Sequence, residues 1–334
     1  MAETPTITQT NLETLVQKYD YFIFDCDGVL FHAGDEIGDA FKSLKYIQQF
    51  PDKRVFFFTN AATRTREELL KEKIIGEHGF TTMPLENLYT AGYLASLYVK
   101  DQLIPARLRQ DPGAWVDREP SVFVIGEQSF KKALESHGIR VANPLADDYL
   151  KPSNTYSFDE FETLEVDPTV LSVIVATDYE LSFKKVCEAS LYLTQNKAEL
   201  IGCNIDRTDG KDRLRPSGGS ITKLIETAAG SGGVTVMGKP DRFGFDLLRK
   251  QHGLEDEPLS KFVMVGDNLE TDILLGNRCG IDSLLVLSGV TNAQRAEDLM
   301  AQVRSGEFKS KIEGVPTHLQ SLFAQSSTIN FDEL

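Results

Sequence analysis

Cysteine is scarce in this chain: four in 334 residues, at positions 26, 187, 203 and 279, with no CxxC spacing. That scatter argues against a disulfide framework and fits reduced thiols in a cytoplasmic setting. Long apolar runs are also missing. No segment approaches the roughly 20 consecutive apolar residues a membrane span needs, and residues 1–17 are polar, without the core of a signal peptide. Cations are outnumbered, 35 Lys and Arg against 50 Asp and Glu, for a net charge of -15. Nucleic acid and anionic membrane are therefore disfavoured as main partners. An anionic substrate is not, because a metal and a few cations can reverse the field in one cleft. There is one tryptophan, Trp115, read as packing, and no internal repeat or low-complexity tract is evident.

The composition is otherwise that of a globular protein, 41% hydrophobic and 25% charged. The length favours two domains over one. The most informative stretch is Tyr21-Phe-Ile-Phe-Asp25-Cys-Asp27-Gly28, an apolar strand that ends in two aspartates one residue apart. Residues i and i+2 of a strand face the same way, so Asp25 and Asp27 are expected close together, with Cys26 turned inward as a small core residue. Like charges that close ask for a neutraliser, and a divalent cation is the simplest one.

The rest of the first 87 residues alternates helix and strand. Ile37, Phe41, Leu44 and Ile47 have helical spacing, and Arg54–Thr59 is an apolar run without alternation, as in a strand covered on both faces. Thr63 is the expected N-cap of the next helix. Residues 103–121 hold Pro105, Pro112, Gly113 and Pro120 and read as irregular. Strands are expected at 121–125, 170–177 and 200–203, with helices between them. After the turn at 216–220 the first rhythm resumes, ending in strands at 235–238, 261–265 and 283–287. The fold class that follows is α/β: a doubly wound parallel sheet, Rossmann-like, with an inserted α/β domain. The division is 1–87 for the first part of the core, 88–215 for the insertion and 216–334 for the second part.

Four segments end a strand or short apolar run in groups suited to phosphate chemistry. They are Asp25/Asp27, Thr59-Asn60, Gly238-Lys239-Pro240 and Gly266-Asp267 through Thr271-Asp272. In a doubly wound sheet such strand ends converge on one crevice. Asp25 and Asp267 can ligate Mg²⁺, and Asp27 can contribute its backbone carbonyl. Asp272 can ligate too, or hold a metal-bound water and Lys239 from behind. Thr59, Asn60 and the backbone N–H of Ala61 can hold phosphate with Lys239. Asp25 is then a nucleophile that forms an aspartyl-phosphate, and Asp27 a general acid and base. Taken singly these residues have blander readings. An isolated Asp-x-Asp is usually a solvated turn and Thr59 a helix cap; Arg64 and Arg66 suit a solvated helix face, and His32 a surface position. Asp206 and Arg207 fall in the insertion, where a substrate loop and a plain surface loop are both in keeping.

The four segments, in this order, resemble the motifs of the haloacid dehalogenase superfamily. The flanking segments 124–127, 175–179, 201–206 and 284–290 are similar to its nitrophenyl phosphatase, phosphoglycolate phosphatase and pyridoxal phosphatase group. The resemblance covers about residues 19–293, and the insertion falls where the superfamily carries its larger cap. It implies Mg²⁺-dependent hydrolysis of a small phosphomonoester, phosphoglycolate or 4-nitrophenyl phosphate foremost, pyridoxal or sugar phosphate as alternatives, by a homodimer. A phospho-acceptor signalling module shares the acceptor Asp, the metal carboxylates and the Lys, but needs neither Asp27 nor an insertion. Two departures stand out: Thr59-Asn-Ala-Ala62 where the group has Thr-Asn-Asn-Ser, and Cys203-Asn204 where it often has Thr-Asn.

Overall fold

The computed structural model describes residues 12–32, 34–143, 156–209, 214–230 and 232–298, together with the backbone of Ser321–Ala324. The chain forms two compact units. One takes the residues up to Thr59, Leu70–Tyr89 and those from Lys239 on; the other takes Asn60–Leu69 and Thr90–Gly238.

The first unit is built on a six-stranded sheet. In chain order its strands are β1 (Tyr21–Phe24), β2 (Arg54–Thr59), β3 (Leu88–Thr90), β9 (Phe262–Gly266), β10 (Asp282–Val286) and β11 (Ser321–Ala324). The spatial order is β11-β10-β9-β1-β2-β3. β1 lies between β9 and β2, parallel to both, with Phe24 level with Val265 and Phe57. Phe22, Ile23, Phe56, Phe57, Phe58, Val263 and Met264 are buried, so the central strands are covered on both faces. That is why their sequences are continuous apolar runs. β11 was not anticipated and extends the sheet beyond β10 in parallel register.

The second unit carries a five-stranded sheet of β4 (Ser121–Ile125), β5 (Arg140–Val141), β6 (Val170–Val175), β7 (Glu199–Gly202) and β8 (Thr235–Val236). The order is β8-β7-β6-β4-β5, and all neighbours are parallel. Helices α1 (Phe183–Gln195) and α2 (Gly218–Ala229) pack on it through Val186, Ala189, Leu193, Ile221 and Ile225.

Three expectations differ from these findings. The chain leaves the second unit at Gly238, not after residue 215: α2 closes the insertion's core, and β8 pairs with β7, Thr235 opposite Ile201. A helix and a short strand have the same rhythm whichever sheet they join, so only the pairing reveals the border. The helix expected to start at Thr63 starts at Thr65, whose hydroxyl accepts from Glu68 N–H while Glu68 accepts from Thr65 N–H. Thr63 has Arg66 three residues on and cannot make that reciprocal capping box. Within 103–121, Ile104–Gln110 is helical, with Pro105 in the first turn where a missing N–H does no harm. Trp115 is half-buried at the turn that follows.

Candidate active site

Parallel pairing aligns the carboxyl ends of β9, β1 and β2. Asp25 follows β1 and donates its N–H to Val265 O at 2.9 Å. Asp267 follows β9, and Thr59, buried, closes β2. Gly28, at φ 83°, then turns the chain sharply, and Cys26 O accepts from Leu30 N–H at 2.8 Å. The turn leads into a two-strand hairpin, Phe31–His32 with Asp35–Glu36. Asp27 stands exposed at this turn, while Cys26 is buried as expected. His32, half-buried, belongs to the hairpin.

Lys239 lies at the centre of the cluster, its side chain 1% exposed. Its Nζ is 2.8 Å from Asp25 Oδ1 and 2.7 Å from Asp272 Oδ1. Asp25 Oδ1 also accepts from Cys26 N–H at 2.7 Å, and Asp272 Oδ2 accepts from Asn268 N–H at 3.0 Å. Both Asp272 oxygens are thereby engaged by the chain itself, which suits a supporting carboxylate better than an open ligand. Carboxylate oxygens of Asp25, Asp267 and Asp272 lie within 4.8 Å of one another.

The loop after β10 closes around Asp267. Val290 N–H donates to Asp267 Oδ2 at 2.6 Å, and Thr291 N–H to its backbone carbonyl at 3.1 Å. Ser288 Oγ donates to Gly28 O at 2.7 Å, tying this loop to the turn after Asp25. Gly289 permits the approach, because a Cβ there would sit 1.9 Å from Asp267 Oδ2. Sequence reasoning found the strand before this loop and missed its role. The signal was Ser-Gly-Val directly past a strand end, in a sheet whose other strand ends carry carboxylates.

The electrostatics follow from three carboxylates facing one ammonium in a buried place. Burial pushes Asp25 well above the usual carboxylate range, Asp272 and Asp267 add to that, and Lys239 opposes it. Burial and Asp272 raise Asp267 to about 7. Burial works against the charge on Lys239, yet Asp25 and Asp272 outweigh it and hold the ammonium above its ordinary value. Burial also pushes the Cys26 thiol up, so it is not a reactive thiolate. A cluster of hard oxygen donors short of positive charge fits a divalent cation. In metal-free protein the folded state binds more protons than the unfolded state wherever a carboxylate is raised. Stability should thus fall as pH rises from 3.8 towards about 7, the window set by Asp267. Urea midpoints in chelator check this: Asp267→Asn should flatten the decline, and an equal slope in both proteins would contradict it.

Asn60 and Ala61 belong to the second unit, where they meet the segment after β7. Asn60 Nδ2 donates to Asp206 Oδ2 at 3.0 Å, and Asn60 O accepts from Asn204 Nδ2 at 2.9 Å. Part of the Asn60 amide foreseen for phosphate is thus committed to Asp206. Arg64 is exposed, and Arg66 stacks over Tyr93 at 3.5 Å, so it is not simply solvated. Arg207 is exposed beside Asp206.

Residues 22–140 match a family described as haloacid dehalogenase-like hydrolase, and residues 236–308 match a second, HAD-hydrolase-like family. Chronophin of Rattus norvegicus is 30% identical over 283 residues, 84% of this chain and 80% of that protein. Glycerol-3-phosphate phosphatase of Homo sapiens is 30% identical over 284 residues, 84% and 82% of the two chains. Among solved structures, 4-nitrophenylphosphatase from Thermotoga maritima superposes with a TM-score of 0.67 at 21% identity, covering 94% of this chain and 96% of that one. No helix among the described residues is long and apolar enough to cross a membrane. With its motif residues gathered at the ends of β1, β2 and β9, the chain belongs to the haloacid dehalogenase-like hydrolases, as one of their phosphatases.

Proposed function

We propose that this protein is a Mg²⁺-dependent phosphatase of small phosphomonoesters, with compact alcohol phosphates such as phosphoglycolate and glycerol phosphate as its substrate class. The observation that carries this is Asp25 held on buried Lys239 inside a carboxylate cluster, with exposed Asp27 two residues on. The relatives named for glycerol-3-phosphate support the substrate class. Asp25 attacks phosphorus through a carboxylate oxygen, and the bond from phosphorus to the ester oxygen breaks. Asp27 gives its proton to the departing alkoxide. A water oxygen then attacks the aspartyl-phosphate, Asp27 takes the water's proton, and the bond between Asp25 and phosphorus breaks. Lys239 keeps Asp25 oriented and offsets its charge, and Asp272 holds Lys239 in place. Thr59 and the Ala61 N–H hold phosphate oxygens. Asp25, Asp267 and the Asp27 carbonyl would hold Mg²⁺, which when bound supplies charge neutralisation for two anions brought together. The same reading includes a cytoplasmic homodimer.

The test is a turnover screen of 2-phosphoglycolate, glycerol-3-phosphate, pyridoxal phosphate, sugar phosphates and 4-nitrophenyl phosphate, with Mg²⁺ and with chelator. Many turnovers on a small alcohol phosphate are expected, falling at least about a hundredfold in chelator and returning with Mg²⁺. A single slow release of phosphate would instead mark a phospho-acceptor module, and undiminished activity in chelator would remove the metal.

A further inference from the structure

The segment after β7 does more than present a loop. Asn204 is 5% exposed, and its amide is used at both ends. Nδ2 donates to Asn60 O at 2.9 Å, and Oδ1 accepts from Asp206 N–H at 3.2 Å. The Asp206 carboxylate then takes the Asn60 side chain at 3.0 Å. On its other side the segment is pinned to the start of α2. Gly219 N–H donates to Asp206 O at 2.9 Å, Ser217 N–H to Arg207 O at 3.0 Å, and Ser220 Oγ to the same carbonyl at 2.6 Å. The residue before Asn204 is tied as well: Cys203 O accepts from Gly238 N–H at 2.8 Å. One short segment therefore grips Asn60, which follows Thr59, and Gly238, which precedes Lys239.

A trans peptide unit is planar, with its carbonyl and N–H pointing in opposite directions. Fixing Asn60 C=O on Asn204 thus fixes the direction of Ala61 N–H, since both belong to one peptide plane. The Ala61 carbonyl is held in turn by Gly92 N–H at 3.5 Å. Residue 61 has no side-chain amide, so under the proposed function this N–H is the group it would offer phosphate.

We infer that Asn204 and Asp206 are positioning residues that set the 60–61 peptide plane and thereby aim the Ala61 N–H for phosphate. The inference rests on the proposed phosphatase function. It assigns the Asn-x-Asp segment of the insertion a role in phosphate affinity.

The experiment pairs calorimetry of inorganic phosphate with steady-state kinetics on 4-nitrophenyl phosphate, both in Mg²⁺. Asn204→Asp puts an oxygen against the Asn60 carbonyl, and Asn204→Ala removes the donor without repulsion. Each is expected to weaken phosphate binding and raise KM together, by about tenfold, the scale of one charge-assisted hydrogen bond. The pH profile of kcat should stay in place. Asn60→Asp sets two carboxylates face to face and should lose more, whereas Asn60→Asp/Asp206→Asn restores a donor opposite an acceptor and should regain most of that loss. Wild-type phosphate affinity and KM in folded Asn204→Ala would overturn the inference, as would a double variant no better than Asn60→Asp. Calorimetry reads this arm without turnover. A wild-type chain that binds phosphate but hydrolyses no ester would defeat the proposed function, not the aim of the Ala61 N–H.

Discussion

Replacing Asp25 by asparagine is expected to lower phosphatase turnover at least about 10⁴-fold, the scale on which enzymes lose a nucleophile. The fold should persist. The amide oxygen of the Asp25→Asn variant can still accept from Cys26 N–H and face Lys239, and the change removes one of three mutually repelling carboxylates. In chelator at neutral pH the variant should melt no lower than the wild type. This separates chemistry from packing, since a residue needed only for structure would lose activity and stability together. The matching check is acid-quench trapping of phosphate on protein, present in wild type and absent in Asp25→Asn. A variant with near-normal turnover would end the nucleophile assignment, whatever its melting temperature.

Replacing Lys239 by methionine is expected to have the largest effect on stability. Lys239 Nζ sits between Asp25 and Asp272, and the latter is fully buried. Removing one partner of a buried ion pair costs about 3–5 kcal/mol, because the remaining charge is left uncompensated. The sign of the pH dependence follows from the same carboxylates. Without the ammonium the folded state holds its acidic protons more tightly, so the variant's deficit should shrink as pH falls. Mg²⁺ should offset part of it at neutral pH. Activity should drop at least about a hundredfold even when Mg²⁺ restores the melt, because Asp25 loses the cation that orients it. Denaturation of wild type and Lys239→Met, at neutral and mildly acidic pH, with chelator or Mg²⁺, checks all of this. Equal metal-free stability at neutral pH would mean that Lys239 is not the counter-charge of the cluster.

The candidate site residues could be picked out of the chain because the features that mark them are local. Asp25, Thr59 and Asp267 each close an apolar run, and a parallel sheet places successive strand ends along one edge. Strand continuity on both faces is likewise a property of the residues themselves: Phe56, Phe57 and Phe58 cannot alternate with water. Contacts between segments distant in sequence were less accessible. Val290 N–H on Asp267 needs a loop to fold back over 23 residues, and Asn204 on Asn60 joins positions 144 apart. The cap at Thr65 in place of Thr63 shows the same limit on a small scale. Both threonines qualify by type, and Glu68 selects between them by reaching back.

The sequence by itself determined that this is an α/β protein with an insertion, and it marked Asp25, Asp27, Lys239, Asp267 and Asp272 as the candidates for its chemistry. Periodicity and strand-end chemistry are encoded within a few residues of each position. The tertiary structure decided which sheet the segment 216–238 joins, which carboxylates share Lys239, and that Asn60 is held by Asn204 and Asp206. Those outcomes depend on hydrogen bonds and ion pairs that close only when distant segments meet. A helix, strand or asparagine carries no local mark of the partner it will find.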